Sequence, residues 1–189
     1  MPEETIEGSA RYHFNIILKI DLLDSKIQRM KTMKSAFGLA GWLAASLAAG
    51  FIGSRYMPGA WYEALVKPAW TPPGWVFAPV WTLLYVLMGV AAWLVWSRVR
   101  FKGARVALSL FIVQLALNAL WSYVFFGAHR IDLAFFEILV LWGVILIVTG
   151  LFRREVSAAG LLMLPYVFWV GFAAYLNFAL WQMNRGAPV

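Results

Sequence analysis

Residues 61–96 read W-Y-E-A-L-V-K-P-A-W-T-P-P-G-W-V-F-A-P-V-W-T-L-L-Y-V-L-M-G-V-A-A-W-L-V-W. The stretch opens polar and turn-rich, then becomes an unbroken apolar run with closely spaced tryptophans. Lys67-Pro68 and Thr71-Pro72-Pro73-Gly74 cannot propagate a helix, because proline lacks an N–H and restricts the residue before it. Beyond them, Phe77 to Trp96 supplies about the twenty residues needed to cross a hydrocarbon core at roughly 1.5 Å per residue. A stiff, aromatic, Pro-rich loop therefore sits on the mouth of a membrane helix.

Working outward, four more apolar segments complete the pattern. The five run over 36–54, 73–96, 104–126, 132–152 and 158–181, each of spanning length. Connections after the first are short, so successive helices are antiparallel neighbours in one bundle. The expected fold is an all-α integral membrane bundle of five transmembrane helices, with the Pro/Trp-rich loop as a lid between the first and second. Composition demands the same solvent. Of 189 residues, 62% are hydrophobic and 13% charged, and mean hydropathy is +0.73, more apolar surface than a soluble chain of this length hides.

One membrane domain spans 36–184, with no second domain or internal repeat, and 185–189 forms a short tail. Residues 1–35 differ in character. Glu3, Glu4 and Glu7 are followed by apolar residues interrupted by Lys19, Asp21 and Asp24. Two readings stand for this extension: an amphipathic helix lying on the membrane, or a dispensable segment ahead of a start at Met30 or Met33.

The net charge is +7, but Lys and Arg lie between apolar runs, which reads as topology signal and attraction to anionic lipid rather than nucleic-acid binding. Nine basic residues flank one side (Arg29, Lys31, Lys34, Arg98, Arg100, Lys102, Arg105, Arg153, Arg154) and four the other (Arg55, Lys67, Arg130, Arg185). For an inner-membrane protein that places the N-terminus in the cytoplasm and the lid outside.

Several residues stand out as candidates for packing or binding. Gly41, Ala45, Ala49 and Gly53 form a ridge of small residues spaced by four, suited to packing inside the bundle or to a homodimer face. Gln114 and Asn118, with Trp121 and Ser122, lie near one face of the third segment. They serve either as interhelical glue or as the polar spot that orients a ligand in an apolar cavity. Glu137 is the one acidic residue well inside a segment, hence a functional suspect; a snorkelling or indole-bonded side chain is the plainer reading. Pro165 should bend the fifth helix near Leu161. Trp169 and Ala173, four apart, set a flat ring beside a small gap, ordinary as packing and apt as a wall for a planar ligand.

Other chemistry is missing. There is no cysteine, which excludes disulfides and thiolate metal sites. His13 and His129 have no ligand-spaced partners, so no protein metal site is expected. No phosphate loop or Ser–His–acid set is visible, so catalysis would have to come from the ligand or from aromatic side chains.

The run W-Y-E-A-L-V-K-P-A-W-T-P-P-G with P-V-W-T-L-L-Y-V-L-M-G closely resembles the TspO/MBR family, the tryptophan-rich sensory proteins and translocator proteins (peripheral benzodiazepine receptors). Q-L-A-L-N-A-L-W-S-Y-V-F-F-G-A and L-P-Y-V-F-W-V-G-F-A-A-Y-L-N resemble its third and fifth helix motifs, in the right order over about Ala36 to Asn184. The resemblance implies a five-helix bundle, commonly dimeric, with a pocket under the first loop that takes tetrapyrroles such as protoporphyrin IX or other planar hydrophobic molecules. Carried over by motif, that pocket takes Trp61, Tyr62 and Pro72 from the lid, Trp81 and Tyr85 from the second helix, Gln114, Asn118 and Trp121 from the third, and Trp169 and Ala173 from the fifth. The function so implied is that of a receptor or sensor in tetrapyrrole or stress regulation, with porphyrin as ligand and no required cofactor. Light-dependent porphyrin degradation, through Trp61 and Trp169, and porphyrin or sterol transport are the alternatives. Phe178 and Gln182 stand where animal members carry the Tyr and Arg of a cholesterol-recognition pattern, which argues against high-affinity cholesterol binding. A bacterial membrane is expected, inner or outer.

Overall fold

The computed structural model describes residues 3–185, with side chains described for all of these except 3–22, 27, 31 and 100–103. The helices are α1 (Glu3–Gly53), α2 (Ala60–Ala64), α3 (Gly74–Gly103), α4 (Arg105–Ser122), α5 (Ile131–Glu155) and α6 (Ser157–Met183). A π-helical turn, Tyr123–Gly127, continues α4. Among the described residues there is no strand. Five helices are long and apolar enough to cross a membrane: Leu23–Gly53, Gly74–Val99, Arg105–Gly127, Ile131–Glu155 and Ser157–Met183. Helices satisfy every backbone group within the segment, the condition lipid imposes.

Boundaries differ from the sequence reading in two places. The first segment, expected to begin at Ala36, is the end of a 51-residue helix that starts at Glu3. No proline lies between Glu3 and Gly53, and the helix tolerates its glycines. The basic stretch Arg98–Lys102, expected as a loop, instead forms the last turns of α3. Lys and Arg are good helix formers, and cations suit a helix C-terminus. Pro165 sits within α6 without ending it. The chain divides into two units, one through Gly38 and one from Leu39. The first is helical over its described residues; whether its earliest part is amphipathic depends on side chains outside that set, as do residues 186–189 of the tail.

The second unit holds the core. α5 packs along α6, α4 on α5 and α3 on α6. Val156 alone joins α5 to α6, in an extended conformation. That hairpin needs Gly160, because a Cβ there would fall on the Cα and Cβ of Arg153. Leu84, Met88, Ala91 and Val95 of α3 meet Leu108, Phe111 and Leu115 of α4. Ile138, Leu141, Ile145 and Val148 of α5 and Met163, Tyr166 and Val170 of α6 close the same cluster. These positions recur at three and four, one face per helix. The opposite faces are apolar too: Phe168 is 73% and Trp75 76% exposed, placements that only lipid or the membrane interface accommodates.

The small-residue ridge of α1 divides. A residue repeat of four turns about 400° per step, so each step drifts about 40° around a straight helix. Ala49 and Gly53 are buried, the latter against Ser122, whereas a Cβ on Gly41 would meet nothing within 4 Å. The packed face is instead Ser46, Ala49, Gly50 and Gly53. The Tyr85 ring occupies the space where a Gly50 side chain would go, and Gly89 of α3 lies against Leu43.

This asymmetry sets a paired prediction. Gly50→Ala forces the Tyr85 ring away and should cost about 1–3 kcal/mol. Gly41→Ala meets open space and should be neutral or stabilising by up to about 1 kcal/mol. Thermal unfolding in detergent, followed by near-UV circular dichroism, compares them; equal midpoints would contradict this packing of α1.

Candidate functional site

The lid is residues 54–73, and its aromatic side chains fasten it to the bundle. α2 carries Trp61 and Tyr62 on consecutive positions. Trp61 stacks on His129 with centroids 4.3 Å apart and 11° between planes, and meets the edge of Phe125 at 5.9 Å. Tyr62 contacts Phe125 and Phe126 edge-on, and the Lys67 ammonium lies 4.8 Å over its ring. Burial pushes the Tyr62 hydroxyl above its ordinary pKa, with Glu63 adding to the effect. His129 sits at φ 55°, in the left-handed region, at the corner between the π-helical turn and α5. That corner sets the imidazole face to face with the indole.

The rest of the lid is tied to the end of α6. The Val66 N–H donates to Asn184 Oδ1 at 3.0 Å, and Asn184 Nδ2 donates back to the Val66 carbonyl at 3.0 Å. Trp70 stacks on Tyr175 at 5.1 Å. The Thr71 N–H and hydroxyl both donate to the Pro68 carbonyl, fixing the turn before half-buried Pro72. Phe77, just past the lid, meets Trp169 at 5.9 Å.

Below the lid, polar groups pair across helices. The Tyr85 hydroxyl of α3 donates to Asn118 Oδ1 of α4, and Asn118 Nδ2 donates to the Tyr166 hydroxyl of α6 at 3.1 Å. One amide thus joins three helices. Trp81 stacks over Tyr85 at 5.6 Å and meets Tyr166 edge-on. Gln114 Nε2 reaches Met88 Sδ at 3.5 Å. Nearer the lid, the Trp121 indole donates to Asn177 Oδ1 at 3.1 Å, and Asn177 Nδ2 donates to the Ile131 carbonyl at 2.9 Å. Trp169 and Ala173 pack against the main core.

The ten sequence-selected residues therefore fall into two groups. Trp61 and Tyr62 join Phe77, Phe125, Leu176 and Leu180 at the mouth, while Trp81, Tyr85, Gln114, Asn118, Trp169 and Ala173 lie in or against the bundle core. Trp121 belongs to both. Pro72 lies in the lid, half-buried. Sequence reading missed Phe125, His129, Tyr166, Asn177 and Asn184. Tyr166 and Asn177 had a usable signal, since a polar group on a membrane helix needs a partner on another. Asn184 had none, its partner being backbone.

Both ends of the Asn118 amide are engaged within the protein. Among the described residues, the buried side-chain polar atoms without a hydrogen-bond partner are Ser46 Oγ, Gln114 Oε1, Trp169 Nε1 and both carboxyl oxygens of Glu137. Glu137 is thus neither snorkelling nor indole-bonded: Trp121 donates to Asn177 and Trp142 to the Val167 carbonyl. Among the described residues no three His, Cys, Asp or Glu side chains come together as a metal site. A separate apolar groove of about 390 Å³ lies between α5 and α6, lined by Phe135, Leu139, Trp142, Tyr175 and Phe178 among others, and shares none of the ten residues.

The lid geometry makes Asn184 an anchor. Asn184→Ala removes both bonds to Val66 and, because these are exposed, should cost about 1 kcal/mol or less in stability. Hydrogen exchange across residues 61–72 should accelerate while that of α5 stays unchanged. Unaltered exchange in the lid would mean the aromatic contacts alone hold it.

Residues 39–182 match the model of the TspO/MBR family. Over 158 residues the chain is 41% identical to a tryptophan-rich protein TspO of Chlorobaculum tepidum, covering 80% of this chain and 98% of the relative. It is 38% identical over 149 residues to protein CrtK of Rhodobacter capsulatus (78% and 92% covered). It is 39% identical over 141 residues to the human translocator protein (72% and 83% covered). With five apolar spans, an aromatic lid and this match over most of its length, the chain is an integral membrane protein that belongs to the TspO/MBR family.

Proposed function

We propose that the protein is a membrane receptor for planar hydrophobic ligands, tetrapyrroles such as protoporphyrin IX foremost, acting in tetrapyrrole or stress regulation. The observation that carries this reading is the convergence of rings at the bundle mouth. Trp61 and Tyr62 descend from the lid onto Phe125, while Phe77 and Trp169 rise from the helices beneath. Flat rings offer a planar molecule stacking surface, and buried apolar area contributes about 25 cal/mol per Å² before ordering costs. The Trp169 indole N–H, buried and unpaired, is a donor for the polar edge of such a ligand. The names of relatives agree with such a role: one in Cereibacter sphaeroides is a tryptophan-rich sensory protein, one in sheep a translocator protein.

The same unpaired indole favours light-dependent degradation as the second reading, with Trp169 and Trp61 as the oxidisable partners of an excited porphyrin. One titration separates the two. Protoporphyrin IX added to the detergent-purified protein in the dark should quench tryptophan fluorescence saturably. A porphyrin spectrum that then survives illumination supports the receptor; protein-dependent bleaching supports the degrading enzyme. Trp61→Phe and Trp169→Phe should each weaken binding by roughly three- to tenfold, the share of one well-packed indole, with folding intact. Wild-type affinity in both variants would sink the assignment of these two rings.

A further inference from the structure

The groove between α5 and α6 has a floor of small residues and walls of large ones. Gly171, Ala174, Tyr175 and Phe178 follow one face of α6, and Phe135, Leu139 and Trp142 follow one face of α5, so the two faces meet along a line. Gly171 deepens it: a Cβ there would stand 3.3 Å from the Trp142 indole nitrogen. The volume of about 390 Å³ opens outward, since Leu139 is 42% and Tyr175 62% exposed. Within two membrane spans, that opening faces hydrocarbon. At the deep end the Trp142 indole already donates to the Val167 carbonyl at 2.9 Å and asks for no polar partner. Along this length the fitting occupant is apolar.

The lid-side end differs. α5 and α6 run antiparallel, so Phe135 and Phe178 close that end, near the start of α5 and the end of α6. On the helical rise per residue, the groove begins roughly 6–8 Å inside the helix ends and runs about 10 Å further. Next toward the surface, the Trp181 ring contacts Phe135 at 5.7 Å and Phe178 at 6.4 Å, and the Arg185 guanidinium lies 4.5 Å over Trp181. Among the described residues Lys67 and Arg130 on this side have carboxylate partners, and Arg185 has none. An indole suits the level where hydrocarbon gives way to headgroups, and a guanidinium there matches a phosphate. One kind of molecule meets both demands, with an apolar chain below and an anion above.

We propose that this groove seats one acyl chain of an anionic phospholipid from the surrounding membrane, with its phosphate held by Arg185. A zwitterionic lipid brings the same chain and phosphate but sets a cation beside the guanidinium, so net charge decides between them. The groove shares none of the ten residues of the receptor site, and this inference does not depend on that reading.

The test is native mass spectrometry of the full chain, released from micelles holding equal amounts of dioleoylphosphatidylglycerol and dioleoylphosphatidylcholine. Wild type should retain one lipid, with phosphatidylglycerol favoured about fivefold, the attraction of one arginine at a membrane surface. Arg185→Gln should abolish that preference. Arg185→Lys keeps the cation and should stay within about twofold of wild type. Arg55→Gln removes the same charge from the lid side, just past α1, and should leave the preference unchanged. Leu139→Trp fills the groove from its exposed wall and should lower retention of both lipids several-fold, with an unaltered near-UV circular dichroism spectrum showing that the bundle is intact. Equal retention of the two lipids by wild type would overturn the proposal, as would equal loss of preference in Arg185→Gln and Arg55→Gln. Wild-type retention in a folded Leu139→Trp variant would remove the chain from the groove and overturn it as well. A lipid-free wild-type dimer that Leu139→Trp splits would assign the groove to a second copy of this chain instead.

Discussion

A single amide, Asn118, joins three membrane helices, and much of the bundle is arranged around that bond pair. In water, Tyr85, Asn118 and Tyr166 could each trade a protein partner for solvent at little cost. In lipid no solvent is on offer, so a buried hydroxyl or amide left alone carries its full desolvation penalty. The three residues are far apart in sequence, on α3, α4 and α6. Their mutual satisfaction fixes the relative rotation of those helices more sharply than apolar contact can, because Leu against Leu is as good as Leu against a lipid tail. Gly50 belongs to the same arrangement. Only a residue without a side chain lets α1 close over the Tyr85 ring while its hydroxyl reaches Asn118.

The lid is held by a different balance. Its rings contact the bundle at two places: the α4–α5 corner, through Tyr56, Trp61 and Tyr62, and α6, through Trp70. Each contact is aromatic, adaptable and of modest energy. The one bidentate polar tie, Val66 with Asn184, is exposed. A segment secured this way can open one contact at a time. Low-stability elements of that kind are the ones ligand sites draw on.

How much of this was legible in the sequence follows from the range of the interactions. The five spans were legible because length and apolarity are local, and the lid was legible because prolines are. The ends of α1 and α3 were not, since nothing in a run of Lys, Arg and alternating apolar residues forbids more helix. The α1 ridge enters the bundle only in part: residues four apart drift around a 3.6-residue helix, so Ala49 and Gly53 pack inside while Gly41 faces out. Among the candidate site residues, the aromatic and amide positions were visible as types. Their assignments were not. Asn118 reads equally well as a ligand contact or a strut until Tyr85 and Tyr166 are seen at its two ends, and Glu137 reads as snorkelling until both oxygens are found buried.

The distribution of satisfied and unsatisfied groups then carries the last step. The strut of α3, α4 and α6 is complete, and so is the Trp121–Asn177–Ile131 chain near the mouth. Between those two levels of the helices fall the Trp169 indole N–H, three residues lid-ward of Tyr166 on α6, and the Glu137 carboxyl on α5. One is a lone donor, the other a lone acceptor. Gln114 Oε1 and Ser46 Oγ are unpaired as well, and each such group forgoes stability that an apolar side chain at its position would have given. Rules of local consistency are broken where function requires it. In the proposed receptor, the indole N–H and the carboxyl are the groups that would meet the polar edge of a flat ligand.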